Sequence, residues 1–94
     1  MEVQNNFGEN LKKYRKESKM TQAELANLLG KSASTIYGYE TNQIMPSYDT
    51  VCMISSVFNV DISNLLDLNQ KKKEYTSDRE IYDNYLERWL ESRR

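Results

Sequence analysis

The stretch TQAELANLLGKSASTIYGYETN, residues 21–42, predicts two short helices joined by a sharp turn. Thr21 and Glu24 form a capping box, in which each side chain bonds the backbone N–H of the other residue and a helix begins. Gly30 predicts the end of that helix, because glycine adopts the left-handed conformation after a last helical turn without a steric penalty. Ser32 is a favourable N-cap for the second helix. The stretch therefore predicts helix, turn and helix in close succession.

The second of these helices has two different faces. Ile36 and Tyr39 share one side and are predicted to point inward. The residues predicted on the opposite side are small or polar, namely Ala33, Ser34, Tyr37 and Gly38. A helix with such an outer face, following a glycine turn, is the arrangement that enters a DNA major groove. A purely structural helical pair carries some of the same signals, so this stretch favours DNA binding and leaves the structural alternative open.

Composition restricts both the fold class and the chemistry. The chain of 94 residues has one proline and three glycines, and it lacks a long alternation of apolar and polar residues, which predicts an all-α fold. Cys52 is the only cysteine and histidine is absent. Disulfides, thiolate or imidazole metal sites and the usual nucleophile–base pairs are therefore not expected. We expect neither an enzyme nor a cofactor, and no small-molecule ligand is indicated.

The charge balance limits how the chain would meet DNA. A net charge of −1 and a pI near 5.4 argue against an indiscriminate DNA binder, whose affinity depends on neutralising phosphates. A DNA-facing surface must then be local. Basic residues cluster just before the central pair, although a solvated helix face fits them equally well: Lys12, Lys13, Arg15, Lys16 and Lys19.

Neither a membrane span nor a signal peptide is expected. No apolar run approaches the ~20 residues that cross a bilayer, and the first ten residues lack an apolar signal-peptide region. The prediction is a cytoplasmic protein with no membrane partner.

Further helices are predicted on both sides of the central pair. One begins near Asn6 and continues to about Lys19; another is capped by Ser47 and ends at Asn59; a short one follows Asp61. These helices make residues 1–68 a five-helix domain, with the helix-turn-helix at about 21–41. Residues 69–76 are predicted to be a polar, basic linker, and residues 77–94 a C-terminal amphipathic helix.

In this order the helices resemble the lambda-repressor-like (Xre) family of helix-turn-helix regulators. The resemblance runs from about Asn6 to Leu68 and rests on separated pieces of sequence: TQAELA, Gly30, STI at 34–36, Glu40, Pro46–Ser47 and VDISNLL at 60–66. It implies a five-helix DNA-binding fold and double-stranded DNA as the partner. It also implies a repressor that binds a near-palindromic operator as a homodimer, with the third helix in the major groove.

The resemblance gives roles to individual positions. Arg15 and Glu40 match a structural ion pair between the first helix and the end of the third, and Gln22 matches a glutamine that bonds a DNA phosphate. The predicted DNA contacts are Gln22, Lys31, Ser32, Ala33, Ser34, Thr35, Tyr37, Gly38 and Gln43. The base-facing members of this set have few groups that bond base edges bidentately. Discrimination is therefore expected to depend on DNA shape or on dimer spacing.

The last predicted helix carries an apolar stripe that requires a partner. Its members are Ile81, Tyr82, Tyr85, Leu86, Trp89 and Leu90. Either the helix folds back over its own domain, or the stripe is a dimerisation surface, which we favour because the family binds near-palindromic operators as dimers. The alternative function is a protein-interaction module, such as an antitoxin or anti-repressor, that uses this aromatic helix as its contact surface.

Overall fold

The computed structural model describes residues 7–66 and 77–92, and within these ranges every regular element is an α-helix. The bounds are α1 Phe7–Glu17, α2 Gln22–Leu29, α3 Ala33–Glu40, α4 Tyr48–Phe58, α5 Ile62–Leu66 and α6 Asp78–Glu91. This order confirms the predicted all-α class, with five helices followed by a C-terminal helix. The predicted linker at 69–76 and the predicted start of the first helix at Asn6 lie outside the described residues.

The local signals around the central pair act as predicted. Thr21 Oγ1 accepts from the Glu24 N–H at 3.0 Å, and the Glu24 carboxylate accepts from the Thr21 N–H at 2.9 Å. Gly30 adopts a left-handed φ of 69° at the end of α2. Asn59 ends α4 in the same conformation, with a φ of 57°. Side-chain N-caps also begin three other helices, at Ser32 for α3, Ser47 for α4 and Ser77 for α6.

The end of α1 departs from the prediction. The helix ends at Glu17 rather than near Lys19, because Lys19 adopts a left-handed φ of 61°. The Met20 N–H bonds the Arg15 carbonyl at 3.1 Å, and the Arg15 guanidinium donates back to the Met20 carbonyl at 2.8 Å. These two bonds close the turn tightly and direct the chain into α2.

The core lies where one face of each helix meets the others. Its most deeply buried apolar side chains are Phe7, Leu11, Leu25, Ile36, Val51, Ile54, Leu65 and Leu66. Tyr39 also lies in this core, and burial raises the pKa of its hydroxyl, although a hydrogen bond with Thr50 acts in the opposite direction. The inward direction predicted for Ile36 and Tyr39 is therefore confirmed, and α3 is anchored by its inner face.

The C-terminal helix packs on its own domain through two tyrosines. The Tyr85 hydroxyl accepts from the Phe7 N–H at 3.1 Å, and the Tyr85 ring meets the Phe7 ring edge-on at 6.4 Å between centroids. The Tyr82 hydroxyl donates to the Pro46 carbonyl at 2.7 Å, and its ring meets that of Tyr48 at 5.6 Å. Burial raises the pKa of Tyr82. α6 thus contacts both the start of α1 and the loop that follows α3.

In the described structure the apolar stripe packs on the chain's own domain, which is one of the two arrangements that the sequence left open. Dimerisation through the stripe stays a prediction. Ile81, Tyr82 and Tyr85 are buried by the chain itself, and Leu86 and Trp89 are half-buried against the same core. The physical reason is that α1 and α5 leave apolar surface uncovered, and α6 is long enough to cover it. Leu90, at 54% exposed, is the member of the stripe that stays accessible to another molecule.

In the part of the chain that the structure describes, the helices are too short or too polar to cross a membrane.

Candidate nucleic-acid interface

A buried ion pair fixes α3 against α1. Arg15 Nε donates to Glu40 Oε2 at 2.6 Å and Arg15 Nη2 donates to Glu40 Oε1 at 3.1 Å. The two side chains are only 8% and 2% exposed. Such a bidentate contact restricts the relative orientation of the guanidinium and carboxylate groups as well as their distance. Arg15 and Glu40, which the resemblance pairs, therefore hold the end of α3 in one position.

Gln22 extends this ion pair to α2. Its side-chain Nε2 donates to Glu40 Oε1 at 3.0 Å, so the first residue of α2 is tied to the last residue of α3. A glutamine amide carries two N–H bonds, and one remains for a phosphate oxygen. The residue that the resemblance assigns to phosphate binding is thus also a brace between the two helices.

The outer face of α3 follows from which residues are buried. Ile36, Tyr39 and Glu40 face the interior. At about 100° of rotation per residue, the opposite side of the helix is centred near Ser34 and includes Tyr37 and Gly38. Ser34 is exposed, and the Tyr37 side chain is 54% exposed. The only ionisable carboxylate of α3, on Glu40, is engaged in the buried ion pair, so this outer face is uncharged.

The N-terminus of α3 has donors suited to an anion. Ser32 Oγ accepts from the Thr35 N–H at 3.1 Å and bonds Thr35 Oγ1 at 3.0 Å, so Thr35 belongs to the cap rather than to the outer face. Among the described residues, the Ala33 and Ser34 amides find no acceptor. Lys31 is exposed in the adjacent turn. Free amides at a helix N-terminus together with a nearby ammonium group favour a phosphate.

Gly38 was predicted to lie on the outer face and to contact DNA, but in the structure it is buried. It lies on that side of α3 but is buried beneath the side chain of Ile44. A Cβ at position 38 would lie against Ile44 Cδ1 and 2.9 Å from Ile44 Cγ1. The glycine therefore makes room for an isoleucine from the following loop, and Gly38 is not itself available to DNA.

The loop after α3 is fixed by its backbone. Asn42 adopts a left-handed φ of 62° just after the end of α3. The N–H groups of Gln43 and Ile44 both bond the Gly38 carbonyl, at 2.9 and 3.1 Å. Gln43 is exposed beside Ile44. Ile44 is the residue on this surface that sequence reasoning missed, and its one signal was a glycine inside a helix.

The exposed lysines are not part of the network that Arg15, Glu40 and Gln22 form. Lys12, Lys13, Lys16 and Lys19 are exposed on α1 and in the turn after it. Arg15, which the sequence groups with them, is buried against Glu40 and contributes no free positive charge to that cluster. The described residues contain no group of three carboxylate, thiol or imidazole side chains able to hold a metal ion. What the surface around α3 offers is hydrogen-bond donors, one ammonium group and apolar contact area.

The structure therefore divides the predicted DNA contacts into two sets. One set makes contacts within the chain: Gln22 bonds Glu40, Thr35 bonds Ser32, and Gly38 lies beneath Ile44. The residues that stay exposed at the start of α3, along its outer face and just beyond it are Lys31, Ser32, Ala33, Ser34, Tyr37 and Gln43.

The chain is similar to known helix-turn-helix proteins. A family model described as helix-turn-helix matches residues 11–65, which is more than half of the chain. An uncharacterized HTH-type transcriptional regulator of Bacillus subtilis (strain 168), YqaE, is 40% identical over 60 residues. That match covers 64% of this chain and 52% of the relative, so the chain spans about half the length of the curated relative it matches. No solved structure matches the chain.

Proposed function

Because the chain belongs to the lambda-repressor-like (Xre) family of helix-turn-helix regulators, we propose that it represses transcription by binding double-stranded DNA with α3 in the major groove. The observation that carries this proposal is the outer face of α3. It is exposed and uncharged, and it belongs to a helix whose end is held by the buried pair of Arg15 and Glu40. A rigid helix with an exposed, uncharged face can approach base edges closely.

The proposed contacts fall into two kinds. The amides of Ala33 and Ser34, the Lys31 ammonium group and the remaining amide N–H of Gln22 bond phosphates and set the register of α3. Ala33, Ser34 and Tyr37 face base edges. Ser32 and Gln43 lie at the two ends of this surface and add phosphate contacts.

The operator is proposed to be near-palindromic and bound by two copies of the chain. One α3 presents few groups that bond base edges, so a single copy is expected to distinguish its half-site only weakly from other DNA sequences. Two linked half-sites raise the overall affinity, because the second contact forms at a high effective concentration. The large apolar side chain of α6 that remains exposed to a second copy is that of Leu90, at the C-terminal end of the helix.

The alternative function, a protein-interaction module, requires a contact surface that is buried in the described structure. It depended on the aromatic face of the C-terminal helix, and Tyr82 and Tyr85 are buried against the chain's own domain. The outer face of α3 has no such internal cover along Ser34 and Tyr37. DNA binding is therefore the function that we propose.

The proposal is tested by titrating the full chain with random and genomic DNA fragments at several salt concentrations. We expect selective retention of particular fragments, with an affinity that falls as salt rises. Ser34→Glu places a carboxylate on the outer face of α3 and should weaken binding by about tenfold or more. Ser56→Glu is the matched control, because Ser56 is exposed on α4. If no fragment is retained selectively, or if both variants bind like the wild type, the proposal is wrong.

A further inference from the structure

We propose that Ile44, a residue outside the helix-turn-helix, is the apolar contact through which this chain recognises the methyl group of a thymine. This inference rests on the proposed function, since it names what one part of the DNA-facing surface reads.

Gly38 lies on the outer side of α3. Successive residues of a helix are about 100° apart, so Gly38 lies one turn beyond Ser34 on the same outer side. A side chain at position 38 would project from the middle of that side. Glycine has none, and the Ile44 side chain occupies the space instead. The outer face of α3 therefore continues from Ser34 onto the side chain of Ile44, which belongs to the loop after the helix.

The backbone of the loop holds Ile44 in this place. Its backbone N–H bonds the Gly38 carbonyl at 3.1 Å, and the Gln43 N–H bonds the same oxygen at 2.9 Å. Two residues later, the Pro46 carbonyl accepts from the Tyr82 hydroxyl at 2.7 Å. The loop is thus tied at one end to α3 and at the other to α6. A loop backbone held in this way loses little freedom when the loop makes a contact.

The exposed part of Ile44 is apolar. Ile44 is 44% exposed, although exposing a β-branched apolar side chain to water is unfavourable. The other exposed side chains on this side of α3 are those of Ser34 and Tyr37, and neither of them is charged. In the major groove the group that suits an apolar contact is the C5-methyl of thymine. Burying that methyl against Ile44 removes apolar surface of both molecules from water.

The experiment uses the full chain and a duplex selected from a random DNA library. Each thymine of one half-site is replaced in turn by deoxyuridine, which removes the methyl group and keeps the base-pairing edge. For the wild type we expect about a three- to fivefold loss of affinity at one thymine, which corresponds to losing the burial of one methyl group. For Ile44→Ala we expect that position to become insensitive to the methyl, while the other thymines behave as in the wild type.

Two further variants separate this role from general effects. Gly38→Ala keeps the isoleucine but adds a Cβ in the space that Ile44 occupies, so it should displace Ile44 and also remove the methyl sensitivity. Leu28→Ala removes an exposed apolar side chain from α2 and should leave the wild-type pattern unchanged. Circular dichroism and thermal melting show whether each variant is folded.

The outcomes distinguish this inference from the proposed function. If the wild type selects a sequence but Ile44→Ala keeps the same methyl sensitivity, or if no thymine methyl matters, the role of Ile44 is wrong and the proposed function stands. If the wild type selects no sequence at all, the proposed function and this inference both fail.

Discussion

Two glycines decide how closely neighbouring segments approach α3. Gly38 admits Ile44 on the outer side, and Gly8 admits α1 on the inner side. A Cβ at Gly8 would lie 2.5 Å from the Glu40 carbonyl oxygen and 2.8 Å from Asn42 Oδ1. The Gly8 N–H also bonds Asn42 Oδ1 at 3.1 Å. Glycine at position 8 therefore permits a contact between the start of α1 and the end of α3 that no larger residue allows.

The first prediction concerns Gly8→Ala. Alanine is favoured over glycine in a helix by about 1 kcal/mol, so propensity alone predicts a more stable protein. The clash with the Glu40 carbonyl opposes this gain, because that oxygen belongs to the backbone and does not move freely. We expect a net loss of about 1 to 2 kcal/mol in the free energy of unfolding, measured by urea denaturation. A stabilised variant would show that α1 and α3 separate readily.

The second prediction compares two ion pairs. Glu40→Ala leaves the buried Arg15 guanidinium without its carboxylate and should lower the free energy of unfolding by about 3 kcal/mol. Asp83→Ala is the matched control: Asp83 pairs with Arg79 at 3.2 Å, but the two side chains are 56% and 63% exposed. That loss should be below about 1 kcal/mol. Equal changes in melting midpoint for the two variants would contradict a stabilising role for the buried pair.

At the scale of elements, α6 completes the core. Ile81, Tyr82 and Tyr85 cover apolar surface that includes Phe7, and two tyrosine hydroxyls bond the backbone of other elements. The domain formed by the first five helices is therefore expected to depend on the helix that follows it.

The third prediction is that a chain ending at residue 68 is much less stable than the full chain. Removing α6 exposes the surface that its three buried side chains cover, each worth about 1.5 to 3 kcal/mol when fully buried. The free energy of unfolding should fall by at least about 3 kcal/mol, seen in urea and in thermal melts. An unchanged melting midpoint would mean that α6 leaves the domain in solution and is available to a partner.

The fourth prediction concerns alkaline pH. Burial raises the pKa of Tyr82 above the value of 10.0 for a free tyrosine. Above about pH 10 the unfolded chain loses this proton while the folded chain keeps it, so the folded state binds more protons and stability falls as pH rises. Tyr82→Phe has no proton to lose. In urea titrations the stability difference between wild type and variant should shrink from pH 9 to pH 11, and a constant difference would contradict this role.

The sequence predicts those elements whose signals are local. The Thr21–Glu24 box, Gly30, Ser32 and Asn59 act through bonds within a few residues, and each of them starts or ends a helix as predicted. The stripe on α6 correctly predicts that its two tyrosine side chains are covered by apolar surface. An amphipathic pattern does not specify what covers it, however, because a second copy and the chain's own domain offer the same apolar environment.

At the candidate site, too, the sequence predicts the helix but not the contact that another element makes with its outer face. Helical periodicity places Gly38 on the outer side, which the backbone bears out. The periodicity of α3 carries no information on Ile44, since that contact depends on the path of the loop after the helix. Likewise, the approach of Gly8 to Glu40 joins residues that are distant in the sequence. Features of this kind become visible only when the elements are assembled.

At the scale of the whole molecule, size bears on how two copies share one operator. The described residues extend 34 × 28 × 21 Å. Half-sites read by paired helix-turn-helix domains are about 34 Å apart, one turn of DNA. Two copies bound one turn apart on the same face of the duplex are therefore close enough for their surfaces to meet. This supports pairing on the DNA without requiring the buried part of α6.

The fifth prediction follows from this geometry. Inserting five base pairs between the half-sites turns them to opposite faces of the duplex, so two bound copies can no longer touch. We expect two copies on the original operator, counted by sedimentation with labelled DNA, and a Hill coefficient above one. The insertion should abolish this cooperativity while each half-site alone keeps its weak affinity. Leu90→Glu places a charge on the accessible end of α6 and should reduce cooperativity if that end forms the contact, with Met53→Glu, exposed on α4, as the control. One copy on the original operator, or cooperativity that survives the insertion, would contradict pairing by direct contact.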